Sequence, residues 1–210
     1  MITCDGESLI EKSLKSVMPY AYEVIVYDTG STDGTPKILK KMGVTYEVRN
    51  IQNLPDRRKK IVEILNEMKR RSKGDWILRV DDDEVFPKET MEEIMGVDGK
   101  VPVYSIPFLH YENGYFININ AHPRKRPGFF VARLFKNIPQ INWVKEWGSE
   151  VLSHNRQRVS SRAFQTHLCR KLKNPFLHLG ELRKGKRKHE YLYHQKGHCS
   201  MPLGKYKKYI

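Results

Sequence analysis

The chain has 210 residues, 39% hydrophobic and 10% aromatic, with 30% charged residues and a formal net charge of +14. That length favours a single domain over 1–210 and leaves room for two small ones. The apolar runs Val24 to Tyr27 and Trp76 to Val80 argue against a disordered chain, and no run approaches the ~20 residues of a membrane span.

The first half alternates strand and helix signals, as βαβ units do. Met1 to Thr3 reads as the stub of a first strand. Leu9, Ile10, Leu14 and Val17 fall at helical spacing over Ser8 to Val17, and Pro19 closes that helix. Glu23 to Asp28 reads as a buried strand, followed by a turn-rich loop to Thr35. Pro36 suits the first residue of a helix that ends at Gly43. Val44 to Val48 is a short strand, Asp56 to Arg71 a long helix and Trp76 to Val80 a strand running into Asp81-Asp-Asp-Glu84. Glu89 to Met95 is a short helix. Strands are expected at Val103 to Leu109, Tyr115 to Ile119 and Phe129 to Phe135, and the C-terminal third reads as helical and basic. No internal repeat is evident. Residues 1–100 are expected to form a nucleotide-binding half and 101–210 an acceptor-side half.

The charge is uneven. Arg170 to Ile210 holds 12 Lys or Arg against 2 Asp or Glu, so most of the positive balance belongs to this segment. A solvated basic face, contact with an anionic partner, and nucleic-acid binding compete as explanations. No zinc-finger, RNP or helix-turn-helix pattern accompanies the charge, so no nucleic-acid partner is expected. The N-terminus lacks the basic start and apolar run of a signal peptide. Three scattered cysteines, at 4, 169 and 199, form neither a disulfide framework nor a zinc site, which suits a reducing, cytoplasmic setting.

Two acidic motifs stand at predicted strand ends, the edge where open α/β sheets bind ligands. They are Asp28-Thr-Gly-Ser-Thr-Asp-Gly-Thr35 and Asp81-Asp-Asp-Glu84. Adjacent carboxylates repel one another, and a bound Mg²⁺ or Mn²⁺ would offset that repulsion. Asp28-Thr-Gly also occurs in aspartic proteases, but no second such triplet is present, and a helix at Pro36 does not fit that all-β class.

The stretch Tyr22 to Thr35 followed by Gly74 to Glu84 resembles inverting glycosyltransferases of family 2. Asp5 to Val17 is similar to that family's first helix, and Arg133-Leu-Phe-Lys136 to its "RLF" strand. The resemblance covers about residues 1–152. It implies a GT-A (nucleotide-diphospho-sugar transferase) fold: α/β, a mostly parallel central sheet flanked by helices. It also implies a nucleotide pocket of Thr3, Glu7, Asp28 and Arg57, with Arg58 the alternative to Arg57. Asp28 would meet a nucleobase, commonly uracil. Asp83 would bind the metal, and Asp81 or Asp82 the ribose or a metal-bound water. His167 is a further candidate ligand. The family's His-Glu falls in Trp143 to Val151 here, which makes Glu150 the first candidate for the general base and Glu146 the second. Trp147, with Trp143, Tyr104, Tyr111 and Tyr115, is a candidate for stacking on a sugar.

The implied reaction moves a sugar from a nucleotide-sugar, UDP-linked first, to a hydroxyl on a glycan. It needs a base for the acceptor proton and a cation for the departing diphosphate. A sugar nucleotidyltransferase is the first alternative, but its GxGxRxxP loop is missing. A non-catalytic basic module is the second. The chain is also expected to be part of a longer protein.

Overall fold

The computed structural model describes residues 1–112, 115–118, 131–146, 149–159, 167–183, 200–201 and 204–210. Strand β1 (Ile2–Thr3) pairs parallel with β2 (Val26–Asp28), which pairs parallel with β3 (Tyr46–Val48). Helix α1 (Ile10–Val17) joins β1 to β2 and buries Ile10, Leu14 and Val17, the face that its apolar spacing specified. Helix α2 (Thr35–Lys41) has Pro36 in its first turn, where a missing N–H costs nothing, and Lys40 and Lys41 at its negative end. Helix α3 (Arg57–Arg71) begins one residue later than expected. Asp56 is its cap, accepting the Lys59 N–H at 3.1 Å, and Ile64, Leu65 and Met68 face the core.

Four more strands make a mixed sheet. β4 (Trp76–Leu78) and β6 (Val103–Ile106) both run antiparallel to β9 (Val131–Lys136), and β13 (Cys169–Lys171) lies parallel to β6. After β4 the chain turns through β5 (Glu84–Val85) into helix α4 (Lys88–Met95). Pro107 splits the strand expected over Val103 to Leu109, because a proline donates no ladder hydrogen bond. The second piece is β7 (Phe108–Glu112). It pairs with β8 (Tyr115–Asn118) and with β14 (Phe176–His178), and β14 pairs in turn with β5. β15 (Ser200–Met201) extends the β8 edge.

Where it is described, the C-terminal third is mostly strand, and helix is limited to 3₁₀ segments, the longer being the basic Gly204–Tyr209. β10 (Ile141–Glu146), β11 (Ser149–His154) and β12 (Gln157–Arg158) form an antiparallel sheet, and a 3₁₀ turn follows β14 at Gly180–Leu182. The alternation of buried Ile141 and Trp143 with exposed Asn142 and Val144 is a period of two, which a helix cannot satisfy. Trp143 is core, edge-on to Phe135. Tyr104 is core as well, donating its hydroxyl to Asp98 at 2.7 Å, and Tyr111 packs edge-on against Phe116. Trp147 lies outside the described residues, as do the Tyr115 side chain, Cys199 and most of the basic run after Arg183.

An apolar cavity of about 410 Å³ opens between the β1–β3 sheet and β4, lined by Met1, Val24, Ile25, Ile77 and Leu78 among others; Asp28 and Asp81 to Asp83 do not line it. Among the described residues no helix is long and apolar enough to cross a membrane.

Candidate functional site

The two acidic motifs meet at one sheet edge. Thr3 ends β1 and is the register partner of Asp28 on β2. Its hydroxyl donates to Asp82 Oδ2 at 2.6 Å. One buried threonine therefore touches both motifs. Gly6 closes the same corner: a Cβ there would fall 2.5 Å from Asp82 Oδ2 and 2.8 Å from Thr3 Oγ1.

Two loops are stitched together beside it. Asp28 Oδ1 accepts the N–H groups of Gly30 and Ser31 at 3.0 and 2.8 Å, an Asx-type turn that follows from an aspartate at a strand end. Asp5 Oδ1 accepts the Thr32 N–H at 2.8 Å, and Glu7 Oε2 accepts that of Gly34 at 2.7 Å. Glu7 thus braces the 30–34 loop from the opposite side. Arg57 opens α3 near Cys4, where its positive charge opposes the effect of burial, which pushes that thiol up. Arg58 instead reaches Glu150 at 3.0 Å.

The three consecutive aspartates diverge. Asp81 is held by Arg133 at 2.8 Å and by Arg79 at 3.4 Å. Burial works against its ionisation, but those two guanidiniums hold the carboxyl well below the usual carboxylate range. Arg133 also meets the buried Glu84, whose Oε2 accepts the Asp81 N–H at 3.0 Å. Burial pushes the Glu84 carboxyl up against the pull of Arg133. Asp82 contacts Thr3 and Arg183. Asp83 Oδ2 lies 3.2 Å from Arg183 Nε and 3.8 Å from His178 Nε2. The repulsion that the sequence assigned to a bound cation is thus relieved in large part by Arg79, Arg133 and Arg183.

His167 does not join this group. β4, β6 and β13 run in one direction, and Ile77, Phe135, Val103 and Cys169 share a cross-strand row. His167 precedes that row by two residues and Asp81 follows it by four. His167 precedes the start of β13 and Asp81 follows the end of β4, so the two lie beyond opposite ends of the sheet. The histidine that does stand at the acidic edge is His178. It ends β14, opposite Glu84 of β5, and so stands beside Asp83. The signal for it was in the sequence. Pro107-Phe-Leu-His110 and Pro175-Phe-Leu-His178 are the same tetrapeptide, a short repeat that single-motif scanning passes over.

Asp83 and His178 offer one carboxylate oxygen and one imidazole nitrogen. Such a pair could hold Mn²⁺ or Mg²⁺, which takes its remaining ligands from water and substrate phosphates. The cradle is tight: a Cβ at Gly180 would fall 2.9 Å from His178 Cε1 and 3.1 Å from Asp83 Oδ2. Among the described residues no three His, Cys, Asp or Glu side chains form a ready cage.

Glu150 is tied to the site indirectly. Its Oε1 accepts Arg79 at 3.2 Å and its Oε2 accepts Arg58. Arg79, which lies 4.7 Å from the centre of the Trp143 ring, is its bridge to Asp81. Glu146 ends β10 and sits 3.8 Å from Arg158, with no such link.

The chain is similar to several known proteins. An uncharacterized glycosyltransferase of Rickettsia bellii (strain RML369-C) is 35% identical over 94 residues, 45% of this chain and 30% of its own length. The crystal structure of S. aureus TarS 1-349 superposes with a TM-score of 0.53 at 18% identity, covering 84% of this chain and 58% of that one. Glucosyl-3-phosphoglycerate synthase from Mycobacterium tuberculosis, solved with Mn²⁺ and UDP-glucose, gives a TM-score of 0.38 at 21% identity over 52% of this chain and 41% of its own. The chain thus spans under a third of the curated relative and little over half of the TarS fragment. The architecture is the α/β GT-A fold: the first three strands pair in parallel, and β6–β13 and β7–β14 add two further parallel pairs to an otherwise antiparallel set. The sequence profile described as Glycosyl transferase family 2 matches residues 1–143, more than half of the chain, and the chain belongs to that family.

Proposed function

We propose that this chain is a cation-dependent, inverting glycosyltransferase that uses a nucleoside diphosphate sugar, uridine-linked first, and a glycan hydroxyl as acceptor. One observation carries the reading: Thr3 pairs in register with Asp28 and hydrogen-bonds Asp82, so the two motifs meet at one edge of the strand ends. Asp28 is assigned to the nucleobase, its carboxylate fixed in place by the Gly30 and Ser31 amides. Thr3, Glu7 and Arg57 shape the nucleotide pocket, and Asp82 faces the ribose. Asp83 and His178 are assigned to the cation. Asp81, with both oxygens engaged by guanidiniums, holds Arg79 and Arg133 rather than a ligand.

A divalent cation bound there would supply positive charge against the diphosphate that departs. The acceptor hydroxyl oxygen forms the new bond to the anomeric carbon as the bond to the diphosphate oxygen breaks. Its proton passes to a carboxylate. Glu150 is preferred to Glu146, because Arg79 links Glu150 to the acidic edge; to take the proton, its Oε2 must first release the exposed Arg58.

Calorimetry with UDP tests the assignment. A hydrogen bond to a charged group is worth ~1.5–3 kcal/mol, so Asp28→Ala should weaken UDP binding by about 10- to 100-fold. Unchanged affinity would remove Asp28 from the pocket. Release of UDP from a UDP-sugar supports transfer, whereas release of pyrophosphate would mark a nucleotidyltransferase instead.

A further inference from the structure

The duplicated Pro-Phe-Leu-His segments lie side by side. β7 and β14 are parallel and in matching register, so Phe176 is opposite Phe108, Leu177 opposite Leu109 and His178 opposite His110. The Phe176 N–H donates to the Pro107 carbonyl at 3.1 Å and starts that register. The two phenylalanine rings stack at 5.5 Å and 21°, and the two imidazoles meet edge to edge, their centroids 4.9 Å apart and their planes 27° from parallel. The imidazole Nδ1 atoms approach to 2.8 Å, hydrogen-bond distance. His110 is buried, whereas His178 turns its Nε2 edge toward Asp83.

We propose that His110 is a positioning residue for His178: its Nδ1 accepts the His178 Nδ1–H, and so directs the His178 Nε2 lone pair at the cation site. The inference rests on the assignment of His178 as a ligand and goes one step deeper. Proton bookkeeping gives it direction. A neutral imidazole carries one N–H, and a nitrogen that ligates a cation carries none. With Nε2 given to the cation, the His178 proton must sit on Nδ1. The close nitrogen partner must then accept it, which leaves the His110 proton on Nε2. The near-coplanar contact of the two rings and the ladder of β7 and β14 fix the ring plane as well. Partners of this kind orient a ligating histidine and raise its basicity, and their loss usually weakens metal binding by about 10- to 100-fold.

The test is Mn²⁺ binding, followed by calorimetry and by the electron paramagnetic resonance of free Mn²⁺, with UDP present at saturation. His110→Leu should weaken Mn²⁺ by about 10- to 100-fold. His110→Asn, whose amide oxygen falls near the lost Nδ1, should recover most of that loss. Affinity for UDP without metal should be the same in all three proteins. Wild-type affinity in His110→Leu would overturn the inference. His178→Ala separates the two levels. If it too binds Mn²⁺ as wild type does, the ligand assignment itself fails; if it loses binding while His110→Leu does not, only the role of His110 fails. Should the His110 variants not fold, imidazole ¹⁵N spectra of the wild-type protein with Zn²⁺ replacing Mn²⁺ decide the matter. A proton on His178 Nδ1 and on His110 Nε2 is expected, and a proton on His178 Nε2 would overturn the inference.

Discussion

Asp83→Ala is expected to lower kcat by about 10³-fold, or ~4 kcal/mol of transition-state stabilisation, with the folded structure intact. The reasoning starts from where its carboxylate stands. Asp83 Oδ2 lies 3.8 Å from His178 Nε2 and 3.2 Å from Arg183 Nε. Removing it deletes the only carboxylate proposed to hold the cation. It also frees the Arg183 guanidinium from one of its two partners, since Asp82 remains. UDP affinity measured without metal should therefore hold or rise, because a negative charge has left the phosphate side of the cleft. The dependence of UDP affinity on Mn²⁺ should vanish. Steady-state rates over a Mn²⁺ titration, with thermal unfolding as the control for folding, check both halves. A variant that keeps its rate and its Mn²⁺ dependence contradicts the assignment of Asp83.

Arg133→Met is expected to act on stability instead, costing about 3–5 kcal/mol. Arg133 is buried, meets Asp81 at 2.8 Å and contacts the almost fully buried Glu84. Methionine would fill much of the space but leave Glu84 without its cation and Asp81 with Arg79 alone. Breaking one partner of a buried cluster is costly for that reason, whereas replacing the whole cluster is not. Hence Arg133→Met combined with Glu84→Gln and Asp81→Asn should recover much of the loss. For a chain of this size ~4 kcal/mol corresponds to a fall in Tm of about 10 °C. Urea denaturation of the single and triple variants measures the difference. Equal destabilisation in both would show that shape at this site, not charge, decides stability.

The first half of the fold was readable because its signals are local. Pro36 and Asp56 mark helix starts by their own chemistry, and the apolar spacing of Ile10, Leu14 and Val17 fixes one buried face. Both acidic motifs directly follow apolar strands, so their meeting at one edge follows from parallel β1–β2 pairing and the Thr3–Asp82 contact. What escaped the sequence was non-local. His178 reaches Asp83 only because β14 inserts between β5 and β7, pairings that span 68 residues or more. Nothing local to His167 tells which end of the sheet it occupies; the parallel pairing of β6 and β13 decides that. Arg79, Arg133 and Arg183 neutralise the aspartates from three separate segments, so no window around residue 81 contains that answer. The period-two signal of Ile141 and Trp143 is only one short strand long, and the sheet it belongs to is made by pairing with β11 and β12.

The most direct measurement is an anomalous difference map at the manganese edge, from crystals of the protein with Mn²⁺ and UDP. The account predicts a peak within about 2.3 Å of both Asp83 Oδ2 and His178 Nε2, with the uracil against Asp28 and the diphosphate between them. A peak away from Asp83, or a nucleotide bound off the edge formed by Thr3, Asp28 and Asp82, would contradict it.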